Sequence, residues 1–334
     1  MNYLTKNKLY KGNIEFLYAK ISANMIHFFG NSSLDEHKEV LYRYLSYKEA
    51  SYHRFINSIE YLNAILPNKS IIDEIDKSQI IYSYCIGEYR MLPILLNQLG
   101  YNITVLLAGR IKNQQSELFF SLNQHLNGSK LSKQKLKFIS SGEDNVIWKL
   151  KSDIANGNKV LVFIDGNSGV DKNPKNLVRS SFFSQTVFLH QGISYLSHII
   201  KAIPLGIVMS YNNEEFIFNS FKHNNIIHSD RNSFAKNLIV EIFSDLEELL
   251  KKIDISKWDT LEGIHKWLDT GNLNFENYKN GENSFLNNAN IEFNAFRYSP
   301  FYLGKNYFIF DKKQYLTYKI QKKDYKKYAK YIEL

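Results

Sequence analysis

The stretch KVLVFID, residues 159–165, carries the most continuous strand signal in the chain. Gly157-Asn158 turns the backbone into it, and Val160, Leu161, Val162, Phe163 and Ile164 then run without a polar interruption. A short segment that is apolar at both odd and even positions has to be covered on both faces, as strands are inside a helix-flanked parallel sheet. Working outward, similar apolar runs lie at residues 79–84, 102–108, 137–139 and 204–209. Helical patterns separate them at 91–99, 116–126, 144–155 and 191–200, and Gly100 closes the first of these. The alternation predicts an α/β fold with a mixed, largely parallel central sheet flanked by helices.

The ends of the chain read differently. Residues 1–70 form a helical N-terminal region. Ile14, Leu17, Tyr18 and Ile21 make one stripe and Val40, Leu41, Tyr44 and Leu45 another. Ser33 and Asp35 are candidate caps for the second helix, with Glu36 in its first turn, and a further helix is expected over 50–65. The α/β core then spans 71–268. It closes on a helix faced by Phe234, Leu238, Ile242, Leu246 and Leu249, with Ser229 and Asp230 as candidate caps. Residues 269–334 read as a small α+β extension. An Asn/Gly-rich loop over 269–292 leads to a β-hairpin through Tyr307–Phe310 and Tyr315–Ile320. A basic helix follows, with Tyr325, Tyr328 and Ile332 on one side.

Composition narrows the classes of function. One cysteine excludes an internal disulfide and fits a reducing compartment, and no run of about 18 apolar residues is present, so a soluble, cytoplasmic protein is expected. The net charge of +9 is partly local: Lys312, Lys313, Lys319, Lys322, Lys323, Lys326, Lys327 and Lys330 face a single acid, Asp324. Such a tail reads as a solvated basic surface able to attract an acidic protein or an anionic membrane. No nucleic-acid motif accompanies it, so no nucleic-acid partner is expected. Cysteine pairs, HExxH and glycine-rich phosphate loops are absent as well, so neither a metal nor a tightly bound cofactor is expected.

In parallel sheets, ligands bind beyond the carboxyl ends of the strands. Cys85 and Asp165 occupy that position on two separate predicted strands. Taken alone, Cys85 reads either as a buried core thiol or as a nucleophile at a strand end, where backbone N–H groups and nearby cations lower a thiol pKa.

The order of motifs resembles the bacterial lipid A late acyltransferases (lauroyl and myristoyl transferases) of the lysophospholipid acyltransferase-like superfamily. That family's His-x-Gly-Asn-Trp-Glu-like pattern falls on Cys85-Ile86-Gly87-Glu88-Tyr89-Arg90. Its Arg-x-x-Asn stretch falls on Arg110-Ile111-Lys112-Asn113, and its Asp-containing strand end on Asp165-Gly166-Asn167-Ser168-Gly169. Phe182-Phe183-Ser184 with Gly192, and Trp258 with His265, Lys266 and Trp267, match the last two. The resemblance covers roughly 10–268. It implies acyl transfer, but the family's histidine base is replaced by Cys85 and the carboxylate that orients it by Arg90. A thiol and a permanently charged arginine cannot run that base chemistry.

The expectation is therefore a cysteine-dependent transacylase. Cys85 would take an acyl or aminoacyl group from a phosphopantetheine thioester, on an acidic acyl or peptidyl carrier protein or on coenzyme A. It would then pass the group to an acceptor in a specialised biosynthetic pathway. His190 is the expected base, Asp165 its orienting carboxylate and Glu88 the competing one. Arg90 and Arg110 are candidate cations for the thiolate, and Arg110, Lys112 and Asn113 candidate contacts to a phosphate. Trp258, His265 and Trp267 read as packing. The alternative is a scaffold of the same fold without catalysis, serving as a binding or adaptor protein.

Overall fold

The computed structural model describes residues 14–30, 32–62, 65, 67–108, 135–166, 176–224, 230–268, 293–332 and 334. The chain begins with α1 (Ile14–Phe28), α2 (Leu34–Ile56), α3 (Ser58–Leu62) and α4 (Lys69–Lys77). Ser33 caps α2: its hydroxyl accepts the Glu36 N–H at 3.1 Å, and the Glu36 carboxylate accepts the Ser33 N–H at 2.6 Å. This is a reciprocal capping box, so Ser33 fills the capping role and Asp35 lies inside the helix. Asn68 caps α4 by accepting the Ile71 N–H at 3.0 Å.

The central sheet is built from β1 (Ile80–Ser83), β2 (Ile103–Leu107), β3 (Leu136–Ser140), β4 (Lys159–Phe163), β7 (Leu205–Asn212) and β8 (Glu215–Phe221). Their order is β3-β2-β4-β1-β7-β8. Every neighbouring pair is parallel except β7–β8, so the fold is α/β with a mixed, largely parallel sheet. Ile80, Ile81, Val160 and Leu161 of the central strands are all fully buried. Between β4 and β7 lie β5 (Leu177–Phe182) and β6 (Gln185–His190), which form a separate two-stranded sheet.

Period-two alternation sends the side chains of the sheet to two helical layers. Ile81, Ile103, Val105, Leu161 and Ile207 pack with Leu92, Leu95 and Leu96 of α5 (Leu92–Gln98). Thr104 points the other way and donates to Asp153 of α6 (Val146–Ala155) at 3.1 Å. On the same face the Tyr82 hydroxyl lies 3.4 Å from Asp245 of α8 (Arg231–Leu250), against which α7 (Gly192–Ile200) packs. The chain leaving β1 therefore enters a helix on one face, and the chain leaving β4 goes on to a helix of the other layer. Adjacent parallel strands with connections of that kind leave a crevice at their carboxyl ends.

A separate three-stranded antiparallel sheet is formed by β9 (Tyr298–Leu303), β10 (Asn306–Asp311) and β11 (Leu316–Ile320), followed by α9 (Lys322–Ala329). Pro300 lies in β9, an edge strand of this sheet, where a residue without an N–H is tolerated. The chain divides into two compact units. One takes in the described residues of Met1–Glu49, Ser181–Val187 and Leu261–Leu334, the other those of Ala50–Ser180 and Phe188–Thr260. Helix α1, most of α2 and the C-terminal sheet thus belong to one unit, and the end of α2, α3, α4 and the parallel sheet to the other. Among the described residues, no helix is long and apolar enough to cross a membrane.

Three sequence expectations change. Phe183 and Ser184, matched above with Gly192 as one motif, both have positive φ, 45° and 63°, and form the two-residue turn of the β5–β6 hairpin, with β6 standing between them and Gly192. One continuous helix, α2, covers the start of the helix expected at 50. Lys312, counted among the solvated lysines of the tail, is fully buried.

Candidate functional site

The register of the two central strands sets the site. Ser83 of β1 pairs with Phe163 of β4, and the Ile164 N–H donates to the Ser83 carbonyl at 3.1 Å. Two residues further along each strand, Cys85 faces Asp165. The Cys85 backbone N–H donates to Asp165 Oδ1 at 2.7 Å, and the indole Nε1–H of Trp258 donates to Oδ2 at 2.7 Å. Asp165 and Trp258 are fully buried.

Trp258 arrives on an antiparallel bridge to Ile86. The Gly87 N–H donates to the Lys257 carbonyl at 3.0 Å, and the Asp259 N–H donates to the Cys85 carbonyl at 2.8 Å. Gly87 sits at φ +64°, and a Cβ there would collide with the Met209 carbonyl and stand 2.9 Å from Ser210 Cα. Only glycine lets the turn run this close to β7. The next N–H, that of Glu88, donates to the Met209 carbonyl at 2.7 Å.

Glu88 is fully buried and tied to α2. Arg54 grips its Oε1 at 3.1 Å from Nε and 2.6 Å from Nη2, and the Ser51 hydroxyl donates to Oε2 at 3.0 Å. The Arg54 guanidinium also stacks over Tyr211 at 4.5 Å. Glu88 thus anchors the turn to α2, through bonds that do not involve Cys85. Arg90 donates to Asp259 Oδ2 at 2.8 Å, and the Tyr89 hydroxyl donates to the same oxygen at 2.6 Å.

Electrostatics at the thiol follow from this packing. Burial pushes the Cys85 thiol well above its ordinary range. The carboxylates of Asp165 and Asp259 push the same way, and Arg90 pulls against them. The raised pKa keeps the resting sulfur a neutral thiol, beside the Asp165 carboxyl that its own backbone N–H binds. Burial also raises the Asp165 carboxyl, against the hydrogen bonds from Trp258 and Cys85 that hold it down. A carboxyl raised in this way is a better proton acceptor than an exposed aspartate.

The structure therefore brings together Cys85, Asp165 and Arg90, and adds three groups that the sequence reading placed elsewhere or passed over. Trp258, expected as packing, hydrogen-bonds the central carboxylate. Asp259 anchors Arg90, and Arg54 neutralises Glu88. Trp258 belongs to a motif already noted, whereas Arg54 lies 34 positions before Glu88 and carries no local signal. His190 is the last residue of β6, and no hydrogen bond joins it to Cys85 among the described residues; the Cys85 backbone N–H and carbonyl bond Asp165 and the Asp259 N–H. His265 and Trp267 are buried, as packing residues would be. Arg110, Lys112 and Asn113 lie outside the described residues, as do Asn167, Ser168, Gly169, Ser229, the expected helix at 116–126 and the expected loop at 269–292.

Among the described residues, no three His, Cys, Asp or Glu side chains gather as a metal-binding group. No protein-family model matches the chain, and a search of curated proteins finds no match either.

Proposed function

We propose that the chain is a thiol-dependent acyltransferase working in the crevice beyond β1 and β4, with Cys85 as nucleophile and Asp165 as its proton acceptor. The observation that carries this reading is the juxtaposition of the two groups by strand register: a thiol against a buried carboxyl at the carboxyl ends of adjacent parallel strands. The resemblance to the lipid A acyltransferases, which puts Cys85 at their histidine position, supports the same site.

In the first step, Cys85 Sγ attacks the carbonyl carbon of a thioester while its proton passes to Asp165. The tetrahedral intermediate collapses by breaking the bond to the donor sulfur, and Asp165 returns the proton to that leaving thiolate. The products are an acyl-Cys85 thioester and a free donor thiol, so atoms and charge balance. In the second step an acceptor amine, hydroxyl or thiol attacks the acyl-enzyme and the same carboxylate takes its proton; the acyl–Sγ bond then breaks, and Asp165 returns that proton to the Cys85 thiolate, restoring the resting pair. The guanidinium of Arg90, already favouring negative charge on the sulfur, suits the developing oxyanion. Thioester exchange is close to isoenergetic, so positioning supplies most of the catalysis. A donor arm of the phosphopantetheine type, on coenzyme A or on an acidic carrier protein, matches the thioester chemistry and the basic tail of a cytoplasmic enzyme.

One observation favours a second reading. Arg54 is matched by Glu88 and Arg90 by Asp259, and both oxygens of Asp165 are occupied. Such a closed network also suits a rigid, non-catalytic binding scaffold. Intact-mass measurement decides between them. After incubation with a panel of acyl thioesters, the wild-type chain should gain the acyl mass, Cys85→Ala should not, and Asp165→Asn should acylate at least 100-fold more slowly. No acyl mass gain on the wild type across the panel would leave the scaffold reading standing.

A further inference from the structure

Lys312 is the residue of the C-terminal sheet whose position is hardest to reconcile with its chemistry. It follows β10, and its ammonium is fully buried, although buried charges are ordinarily paired. Its Nζ donates to the Ser22 hydroxyl of α1 at 3.0 Å and lies 5.5 Å from the centre of the Tyr18 ring. Among the described residues, no carboxylate forms an ion pair with it.

Tyr18, Ser22 and His27 face Lys312 from α1, and His27 Nε2 binds the Lys312 carbonyl at 3.1 Å rather than its amine. His37 faces it from α2, where Glu36 is engaged with the Ser33 N–H. On its own strand, Asp311 is committed to Arg297, at 2.9 and 3.1 Å, and to the N–H groups of Lys313 and Gln314. The turn cannot swing Lys312 toward solvent without loss, because the Tyr315 hydroxyl donates to Asn24 at 3.0 Å and the Lys312 N–H donates to the Arg297 carbonyl at 2.7 Å.

From the amine a chain of hydrogen bonds runs outward. Ser22 accepts from Lys312 and passes its own proton toward His37 Nδ1 at 2.8 Å, while His37 Nε2 meets the Ser32 hydroxyl at 2.8 Å. Donor accounting assigns the Nε2–H tautomer to His37. Ser32 is only partly buried, so the buried amine is connected to solvent through three side chains.

We propose that closure of the β10–β11 turn over α1 and α2 is linked to the release of one proton from Lys312, which makes this unit a latch that tightens as pH rises above neutrality. Burial lowers the Lys312 amine from the ordinary lysine range to about 7. Between about 7 and the ordinary lysine value of roughly 10.4, the open turn holds one more proton than the closed one, so closure gains with rising pH. Below that window both states are charged and the closed state carries the full burden of a buried ammonium. His37 stays neutral throughout the window, because burial and the neighbouring Lys312 hold it down at about 4.

Hydrogen exchange of the full chain, read by mass spectrometry on peptides spanning 306–320, tests the latch. After correction for intrinsic exchange, wild-type protection should rise about tenfold per pH unit from 7 to 9. Lys312→Met, an apolar replacement of similar length, should remove that slope and protect the segment most at pH 6. A flat wild-type profile, or the same slope in Lys312→Met, would overturn the proposal. In 13C-lysine-labelled wild type, one Cε resonance should titrate near neutrality, a result independent of whether the variant folds. If every lysine titrates above 9, the proposal fails.

Discussion

Gly87 shows how a single residue can set a site without taking part in its chemistry. Its left-handed φ and its contact with β7 fix the turn from which the Cys85 and Glu88 amides donate. Gly87→Ala adds a Cβ where the Met209 carbonyl already stands and imposes a conformation costing about 1–2 kcal/mol on any L-residue. With the added clash, a loss of roughly 2–4 kcal/mol of stability is expected, read as a lower urea midpoint at unchanged slope. Cys85, half-buried in the wild type, should also react faster with thiol reagents, because the residues that follow it form that turn. An unchanged midpoint would mean that β7 gives way more easily than this packing implies. At this scale Cys85 and Asp165 were legible in the sequence, because each ends an apolar run. Their direct contact was not, since it depends on which strands become neighbours: β1 and β4 are separated in the chain by β2 and β3.

Elements were legible where apolar periodicity was strong and unreadable where turns lacked their usual residues. The runs at 79–84, 102–108, 137–139 and 204–209 and the stretch 159–165 all proved to be strands of the central sheet. The β5–β6 and β7–β8 hairpins went unread because their tight turns are Phe183-Ser184 and Asn213-Glu214, neither of which contains the glycine that ordinarily marks such a turn. Asn213 and Glu214 adopt φ of 48° and 65°, with Asn212 paired to Glu215 across the hairpin. The Glu214 side chain is exposed, so its left-handed backbone is an uncompensated cost. Glu214→Gly should therefore stabilise the chain by about 1 kcal/mol, a rise in thermal midpoint of roughly 2 °C for a protein of this size. A lower midpoint would show that the Glu214 side chain carries an interaction worth more than the strain.

For the whole molecule, the acid limb of stability can be argued from His37. It is fully buried and hydrogen-bonded by two serine hydroxyls, and burial, reinforced by Lys312, lowers it from the ordinary histidine value to about 4. Protonating it would leave Ser22 facing two donors, Lys312 and the new Nδ1–H. The unfolded chain takes up this proton near 6.5 and the folded chain only near 4, so between those values the unfolded state binds more protons. The contribution is intact above 6.5 and is lost as pH falls toward 4, to a total of about 3 kcal/mol. None of this is readable in sequence, where His37 is one histidine among nine on a polar helix start. It emerges only when α1, α2 and the turn after β10 share one interior. Urea unfolding of wild type and His37→Gln at intervals from pH 4 to 8 isolates the effect: the wild-type curve should fall through the window while the variant, less stable at pH 8, changes much less. Parallel curves would assign the acid limb to other groups, of which the buried Asp165 has the opposite sign, because its raised carboxyl becomes easier to keep folded as pH falls.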